Sequence, residues 1–266
     1  MKEETYILKN VTSFEPKHIF ECGQCFRWNL EEDGSYTGIV CQNILNVKKE
    51  QDNIIIKGIY KDNIKDVCTR YFDLDTNYEG IKHKLSTMDD NLKTSIEYGE
   101  GIRILHQDVW EALISFIISA NNNIPRIKGI IERISKKYGK EIKWNNKSYY
   151  TFPTPEELSK ASVKDLRLLG LGFRDTRVYE TTKMVKDKVI DIENLEKTED
   201  INSLREELLR FPGVGPKVAD CIMLFSMKKY NAFPIDVWVK RVMSELYFDI
   251  DKEKLNLSNK KIIEFA

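Results

Sequence analysis

The chain has 266 residues, and its 42 Lys+Arg balance 42 Asp+Glu, so its formal net charge at neutral pH is zero. With 41% hydrophobic and 11% aromatic residues it can bury a sizeable core, which excludes a disordered chain, and its length suits two domains or one large one. A neutral chain is not a generic polyanion binder, so any nucleic-acid contact must come from a local patch. Residues 101–150 hold nine basic against four acidic residues, whereas residues 1–88 hold twelve against fourteen, which points to the middle of the chain as the phosphate-facing region.

The first third reads as short strands. Ser35–Val40, Ile44–Val47 and Ile54–Ile59 are rich in β-branched and aromatic residues and are separated by Asp33-Gly34, Gln42-Asn43 and Gln51-Asp52-Asn53, which are turn compositions. Helices are predicted near Ile64–Phe72 and Tyr78–Thr87, completing a small α+β domain over residues 1–88. The period then changes. Asp108–Ala120 is apolar almost all round, as a helix buried in a helical core would be. Pro125–Tyr138 shows the 3.6-residue period through Ile127, Ile130, Ile131 and Ile134 and stops at Gly139. Thr154-Pro-Glu-Glu157 and Ser203-Leu-Arg-Glu206 read as capping boxes that open two further helices. No strand is expected beyond residue 89. The fold class is therefore an α+β domain with a small antiparallel sheet, followed by an all-α domain over residues 89–266.

Five cysteines are present, Cys22, Cys25, Cys41, Cys68 and Cys221. The odd count, and the lack of a signal-peptide-like apolar run near the N-terminus, predict a reducing, cytoplasmic setting. Cys22-Gly-Gln-Cys25 has metal-like spacing but no second Cys or His pair nearby, so a loop beside a strand is the preferred reading. No apolar run reaches the ~18–20 residues that span a bilayer.

The most informative stretch is Leu209-Arg-Phe-Pro-Gly-Val-Gly-Pro-Lys-Val-Ala-Asp-Cys221. One helix ends near Phe211, Pro212-Gly213-Val214-Gly215 turns the chain, and Pro216 opens a second helix with Val218, Cys221, Ile222 and Phe225 on its apolar face. The two glycines permit backbone conformations closed to other residues and clear side chains from the turn. Backbone N–H groups at the positive end of the second helix can then approach a phosphate, a contact without sequence information. A tight turn with only a packing role is the alternative. Lys217 sharpens the reading, because a cation in a first turn opposes the helix dipole by ~0.3–1 kcal/mol. The same field, with partial burial, favours the neutral amine that a nucleophile needs. A solvated lysine or a plain phosphate contact remains the competing explanation. Asp236, nineteen residues on in Phe233-Pro-Ile-Asp-Val, reads as an N-cap that can double as a functional carboxylate.

A helix-hairpin-helix, a lysine just after it and an aspartate about twenty residues on resemble the helix-hairpin-helix glycosylase superfamily. Within it, four motifs resemble the 8-oxoguanine DNA glycosylase branch, in that family's order. They are Gly-Gln-Cys-Phe-Arg-Trp28, Ser-Ala-Asn-Asn-Asn-Ile-Pro-Arg126, Leu-Gly-Leu-Gly-Phe-Arg174 and Gly-Val-Gly-Pro-Lys-Val-Ala-Asp-Cys221. The resemblance implies a bifunctional glycosylase and AP lyase of base-excision repair. Lys217 would attack the anomeric carbon of the damaged nucleoside and form a Schiff base, and β-elimination would cut the strand. Asp236 would stabilise the cationic transition state.

The resemblance also implies a flipped-out base and roles for the residues around it. The backbone carbonyl of Gly23 would tell 8-oxoguanine from guanine, with Cys221 packing on one face of the base beside Phe225. Asn121, with Asn122 beside it, would fill the vacated gap. Arg126 and Arg174 would read a cytosine opposite, and Phe173 would wedge the duplex. Gly213, Gly215 and Val218 would hold phosphate, as would Trp238, which stands where many members carry a His. The carbonyls of Leu209, Phe211 and Val214 could seat a monovalent ion. No cofactor is required, and the expected partner is double-stranded DNA, bound by a monomer, with no membrane. Relatives continue past the position of Ala266 with an aromatic-Ala-Gln segment that closes the base pocket, so a shortened chain is expected here.

The iron–sulfur branch of the superfamily needs four clustered cysteines after the aspartate, and none follows Cys221. Monofunctional alkylpurine glycosylases lack the lysine. Two alternatives stay open, a glycosylase for another modified purine and a non-catalytic helix-hairpin-helix module that only grips the DNA backbone.

Overall fold

The structure is a computed structural model and describes residues 2–61, 63–248 and 257–266. Five strands form one antiparallel sheet, β1 (Lys2–Leu8), β2 (Trp28–Leu30), β3 (Tyr36–Val40), β4 (Asn43–Glu50) and β5 (Asn53–Tyr60), in the order β1-β5-β4-β3-β2. The three central strands lie where alternation and turn residues place them, and β1 and β2 add an edge on either side. The core beneath the sheet gathers Phe14, Phe20, Trp28, Leu45, Val47, Ile54, Ile56, Cys68 and Phe72, and includes Leu105 from well beyond residue 88. Trp28 is its keystone. It stacks on Phe20 at 3.9 Å between ring centroids, and its indole N–H donates to the Tyr71 hydroxyl at 2.9 Å. The ring fits because β3 has no side chain at the facing position, where a Cβ on Gly38 would stand 2.5 Å from it.

The second core is helical. The helix Val109–Ser119 is buried along almost its whole length and is capped by Asp108, whose carboxylate accepts from the Glu111 N–H at 2.8 Å. Around it pack Ile124–Tyr138, Asp175–Lys186 and Pro216–Ser226. Thr154 forms the expected capping box with Glu157. The second predicted box is corrected. The helix Ile201–Leu209 starts before Ser203 and is capped by Asp200, whose carboxylate takes the Ser203 N–H at 2.7 Å.

The expectation of no strand past residue 89 is also corrected. Glu141–Trp144 (β6) and Lys147–Tyr150 (β7) form an antiparallel hairpin. Its two-residue turn, Asn145-Asn146, has both residues at positive φ (47° and 59°), the geometry that matches strand twist. Ile142 and Trp144 pack against Ile39 and Ile44 of the first sheet, so the hairpin covers that sheet from the second half of the chain. Among the described residues no helix is long and apolar enough to cross a membrane.

A polar joint ties the sheet domain to the helices. Arg103 donates to the carbonyls of Phe72 and Asp73, at 2.9 and 2.6 Å. The Tyr230 hydroxyl lies 3.0 Å from both the Asp73 carboxylate and His106 Nε2. Burial pushes the His106 imidazole down to about 4, against the upward pull of Asp73. For Asp73, burial is outweighed by hydrogen bonds from Thr76 and Tyr78, the field of His106 and the Tyr230 hydroxyl, and its pKa is lowered.

Two predictions follow from this packing. Gly38→Ala should lower stability by about 1–3 kcal/mol through overpacking against Trp28, read as the midpoint of urea unfolding; no loss would mean that the ring yields. The unfolded chain protonates His106 near 6.5 and the folded one only near 4, so its contribution is full above about pH 6.5 and lost as pH falls towards 4. His106→Gln should flatten the stability–pH slope in that window.

Candidate active site

Helix Ile201–Leu209, the turn Arg210–Gly215 and helix Pro216–Ser226 form the hairpin, and Leu208, Phe211 and Val214 are buried beneath it. Gly213 has φ +87°, and a Cβ there would lie 2.6 Å from Arg177 Cδ, so only glycine suits the position. Gly215 differs from expectation, since its φ of −101° is open to any residue. Its use is space. A Cβ there would meet nothing within 4 Å, and no side chain caps the helix that it precedes. The first-turn N–H groups, that of Val218 included, therefore face a clear approach. The two helices are stapled by Arg205, which donates to Asp220 from Nε at 3.1 Å and Nη2 at 2.7 Å.

Lys217 is half-buried one turn before Cys221, with its Nζ 5.7 Å from the centroid of the Phe116 ring. Burial pushes the Cys221 thiol up to about 11, opposed by the charge and hydrogen bond of Lys217 and supported weakly by Asp236. The Asp220 carboxylate raises it as well. Asp236 is half-buried and caps the helix Val237–Leu246, accepting from the Val239 N–H at 2.9 Å, which leaves its other oxygen for a second partner. One helix start thus carries the amine of Lys217 and a second carries the carboxylate of Asp236. Phe225 stacks on Phe116 at 5.9 Å, and Phe116 meets Phe26 edge-on at 5.7 Å, giving an apolar wall. Phe116 has no distinguishing mark in the sequence because it lies in a helix that is apolar almost all round.

Gly23 sits at φ +87°, in a turn whose neighbour Gln24 is fully bonded by its side chain. Ile124 is its nearest apolar neighbour, at 3.9 Å from where a Cβ would be. Cys22 is exposed, Cys25 is buried, and both are free thiols.

The three asparagines have different fates. Asn123 caps the next helix, taking the Arg126 N–H at 3.0 Å. Asn122, expected to meet DNA, turns its side chain inward, donating to the Ile118 carbonyl at 3.1 Å and accepting from the Asn123 N–H. Asn121 stands exposed at φ +50°. Arg174 requires a correction as well. Only 1% exposed, it donates to the carbonyls of Ala120, Asn121 and Leu171, so its charge holds the Asn121 turn instead of facing outward. Arg126 is exposed, 3.4 Å from the Gly170 carbonyl. Phe173 is 53% exposed, with the Arg174 and Arg177 guanidinium carbons 4.2 and 5.2 Å from its ring centre, which excludes a core aromatic. Trp238 is exposed under Arg241 at 4.9 Å. A separate cleft of about 710 Å3, lined by Asn10–Phe14, Lys82 and Glu97, shares no residue with this cluster.

Comparison with known proteins agrees with this geometry. Residues 6–113 match the family described as 8-oxoguanine DNA glycosylase, N-terminal domain, and residues 114–265 match the HhH-GPD superfamily base excision DNA repair protein. An N-glycosylase/DNA lyase of Saccharomyces cerevisiae is 32% identical over 86% of this chain and 67% of its own. A probable N-glycosylase/DNA lyase of Methanothermobacter thermautotrophicus is 33% identical over 73% of this chain and 65% of its own. This chain thus spans about two thirds of the length of those relatives. The apo structure of the Clostridium acetobutylicum 8-oxoguanine glycosylase/lyase superposes with TM-score 0.91 at 45% identity, over 99% of this chain and 91% of that one. The same enzyme in complex with duplex DNA containing cytosine opposite 8-oxoguanine gives 0.92. On its motifs, its two-part fold and these matches, the chain belongs to the HhH-GPD superfamily of base-excision repair glycosylases, in its 8-oxoguanine DNA glycosylase branch.

Proposed function

We propose that this chain excises 8-oxoguanine from duplex DNA and then cuts the strand, as a bifunctional N-glycosylase and AP lyase of base-excision repair. The observation that carries the reading is Lys217, half-buried against the Phe116 ring in the first turn of a helix whose N-terminus is left uncapped by the glycine turn. The first-turn amides, with Gly213 and Gly215 clearing the way, hold a phosphate and so bring the neighbouring sugar over the amine. Lys217 Nζ attacks C1′ while the C1′–N9 bond breaks, its electron pair and a proton leaving with the base. The Asp236 carboxylate stabilises the positive charge that grows on the sugar, and opening of the ring leaves an iminium on Lys217. Loss of a C2′ proton then expels the 3′ phosphate.

The extruded base packs with one face on Cys221, beside Phe225, with its N7 hydrogen on the Gly23 carbonyl. Asn121 enters the gap, Phe173 wedges the neighbouring step, and Trp238 donates to a phosphate. Arg126 reads the opposite base, and with Arg174 turned inward cytosine preference rests chiefly on Arg126. A monovalent ion on the carbonyls of Leu209, Phe211 and Val214 would add a bridge to phosphate. Phe211 gives one lone pair to the Val214 N–H at 3.0 Å and keeps the second, which fits such an ion. The reaction itself calls for no cofactor, and the amine, the carboxylate and the phosphate grip lie on one chain.

The decisive experiment is borohydride trapping on a duplex with 8-oxoguanine opposite cytosine. Wild type should form a covalent complex, and Lys217→Gln should form none while keeping its affinity for DNA; full trapping by that variant would remove Lys217 as the nucleophile. Arg126→Ala should narrow the advantage of cytosine over the other opposite bases by about 1–3 kcal/mol. An unchanged order and spacing of opposite-base rates would take Arg126 out of that role.

A further inference from the structure

We propose that Gln107 is a positioning residue for base recognition, setting the Gly23 turn against the lysine helix so that it serves excision of the base and not strand cutting. The proposal rests on the function proposed above. Its basis is a set of short contacts outside the reacting centre. The Gln107 main-chain N–H donates to the Phe225 carbonyl, near the end of the lysine helix, at 2.9 Å. Its side-chain Nε2 donates to the Gln24 carbonyl at 2.6 Å and reaches the same Phe225 carbonyl at 3.5 Å. One residue thus bonds the two elements that must face each other across a bound base.

The main chain of the turn at Gly23 and its side chains are held from different places. Gln24 is buried; its side chain donates to the Ile19 and Arg103 carbonyls and accepts from the Leu105 N–H, each at 2.9 Å. These bonds fix the Gln24 side chain against residues 103–105, whereas its main-chain carbonyl is fixed by Gln107. Gly23, at φ +87°, carries no side chain of its own, and its carbonyl shares one peptide plane with the Gln24 N–H, so holding Gln24 at its own carbonyl limits how that plane can turn. Every group in the link is an amide, so the link does not titrate.

Separation of the two activities follows from what each needs. Telling 8-oxoguanine from guanine uses one hydrogen bond to one carbonyl, and such a bond weakens steeply with distance and angle. A preformed abasic site has no base. Cutting it needs the amine, the carboxylate and the phosphate grip, which the Arg205–Asp220 staple and the Asp236 cap hold independently of Gln107.

The test compares Gln107→Leu, which removes the donor at similar volume, with Gln107→Glu, which sets an acceptor against the Gln24 carbonyl. The main-chain bond to Phe225 survives in both. Single-turnover release of 8-oxoguanine opposite cytosine is measured beside nicking of a duplex with a preformed abasic site, with urea midpoints as a stability control. Both variants should lose base release by about 10- to 100-fold while abasic-site nicking stays near wild type. Equal loss of the two activities, or no loss of base release, overturns the proposal, and Gln107→Leu decides alone if the glutamate variant does not fold. Wild-type chain that nicks abasic DNA yet releases no 8-oxoguanine would instead overturn the substrate assignment, which the control separates from a failure at Gln107.

Discussion

An amine that is to attack carbon must be kept where water is scarce, yet a phosphate must be able to come within reach of it. A helix N-terminus opened by a glycine turn meets both demands, because its amides attract the anion while its apolar face shields the side chain. Here that terminus carries Lys217 between the Phe116 ring and the Cys221 thiol. A second helix, capped by Asp236, carries the carboxylate. Arg205 and Asp220 lock the hairpin, and the buried Val109–Ser119 helix gives the lysine helix a surface to pack on.

The sheet domain takes part in this through residues 103–107. Arg103 binds carbonyls on the sheet side, His106 meets Tyr230 from the connection between the two functional helices, and Gln107 bonds the lysine helix directly. Asp108 then caps the helix that runs on to Asn121. A short irregular segment therefore sets the Gly23 turn, the helix of Lys217 and the helix that leads to Asn121 relative to one another. This is the arrangement expected when recognition and chemistry lie on different halves of a chain and must still agree to within a fraction of an ångström.

Much of this was legible in the sequence where the signal is local. Pro-Gly-Val-Gly-Pro marks a turn and a helix start by backbone chemistry alone, and Asp236 announces a cap by its place before an amphipathic run. Signals that depend on a distant partner were not legible. The β6–β7 hairpin is short and is stabilised by burying Ile142 and Trp144 on a sheet a hundred residues earlier. Only its Asn-Asn turn could have betrayed it. Ser203 reads as a cap because Glu206 follows at the right spacing, but Asp200 lies the same three residues upstream and starts the helix there, taking the N–H of Ser203 itself. Arg174 shows a charge in the sequence and nothing of the carbonyls that absorb it. Gln107 and Phe116 carry no local mark at all.

The inward arginine has a consequence for how DNA would be met. Asn121 is held at positive φ by a guanidinium already bonded to the Ala120 and Asn121 carbonyls, so the loop arrives in one shape instead of many. The entropy of ordering it is spent during folding and not at the encounter. A finger stiffened beforehand can test successive base pairs without refolding at each one, and brief, repeated sampling becomes compatible with a long stay at the rare position where a base gives way.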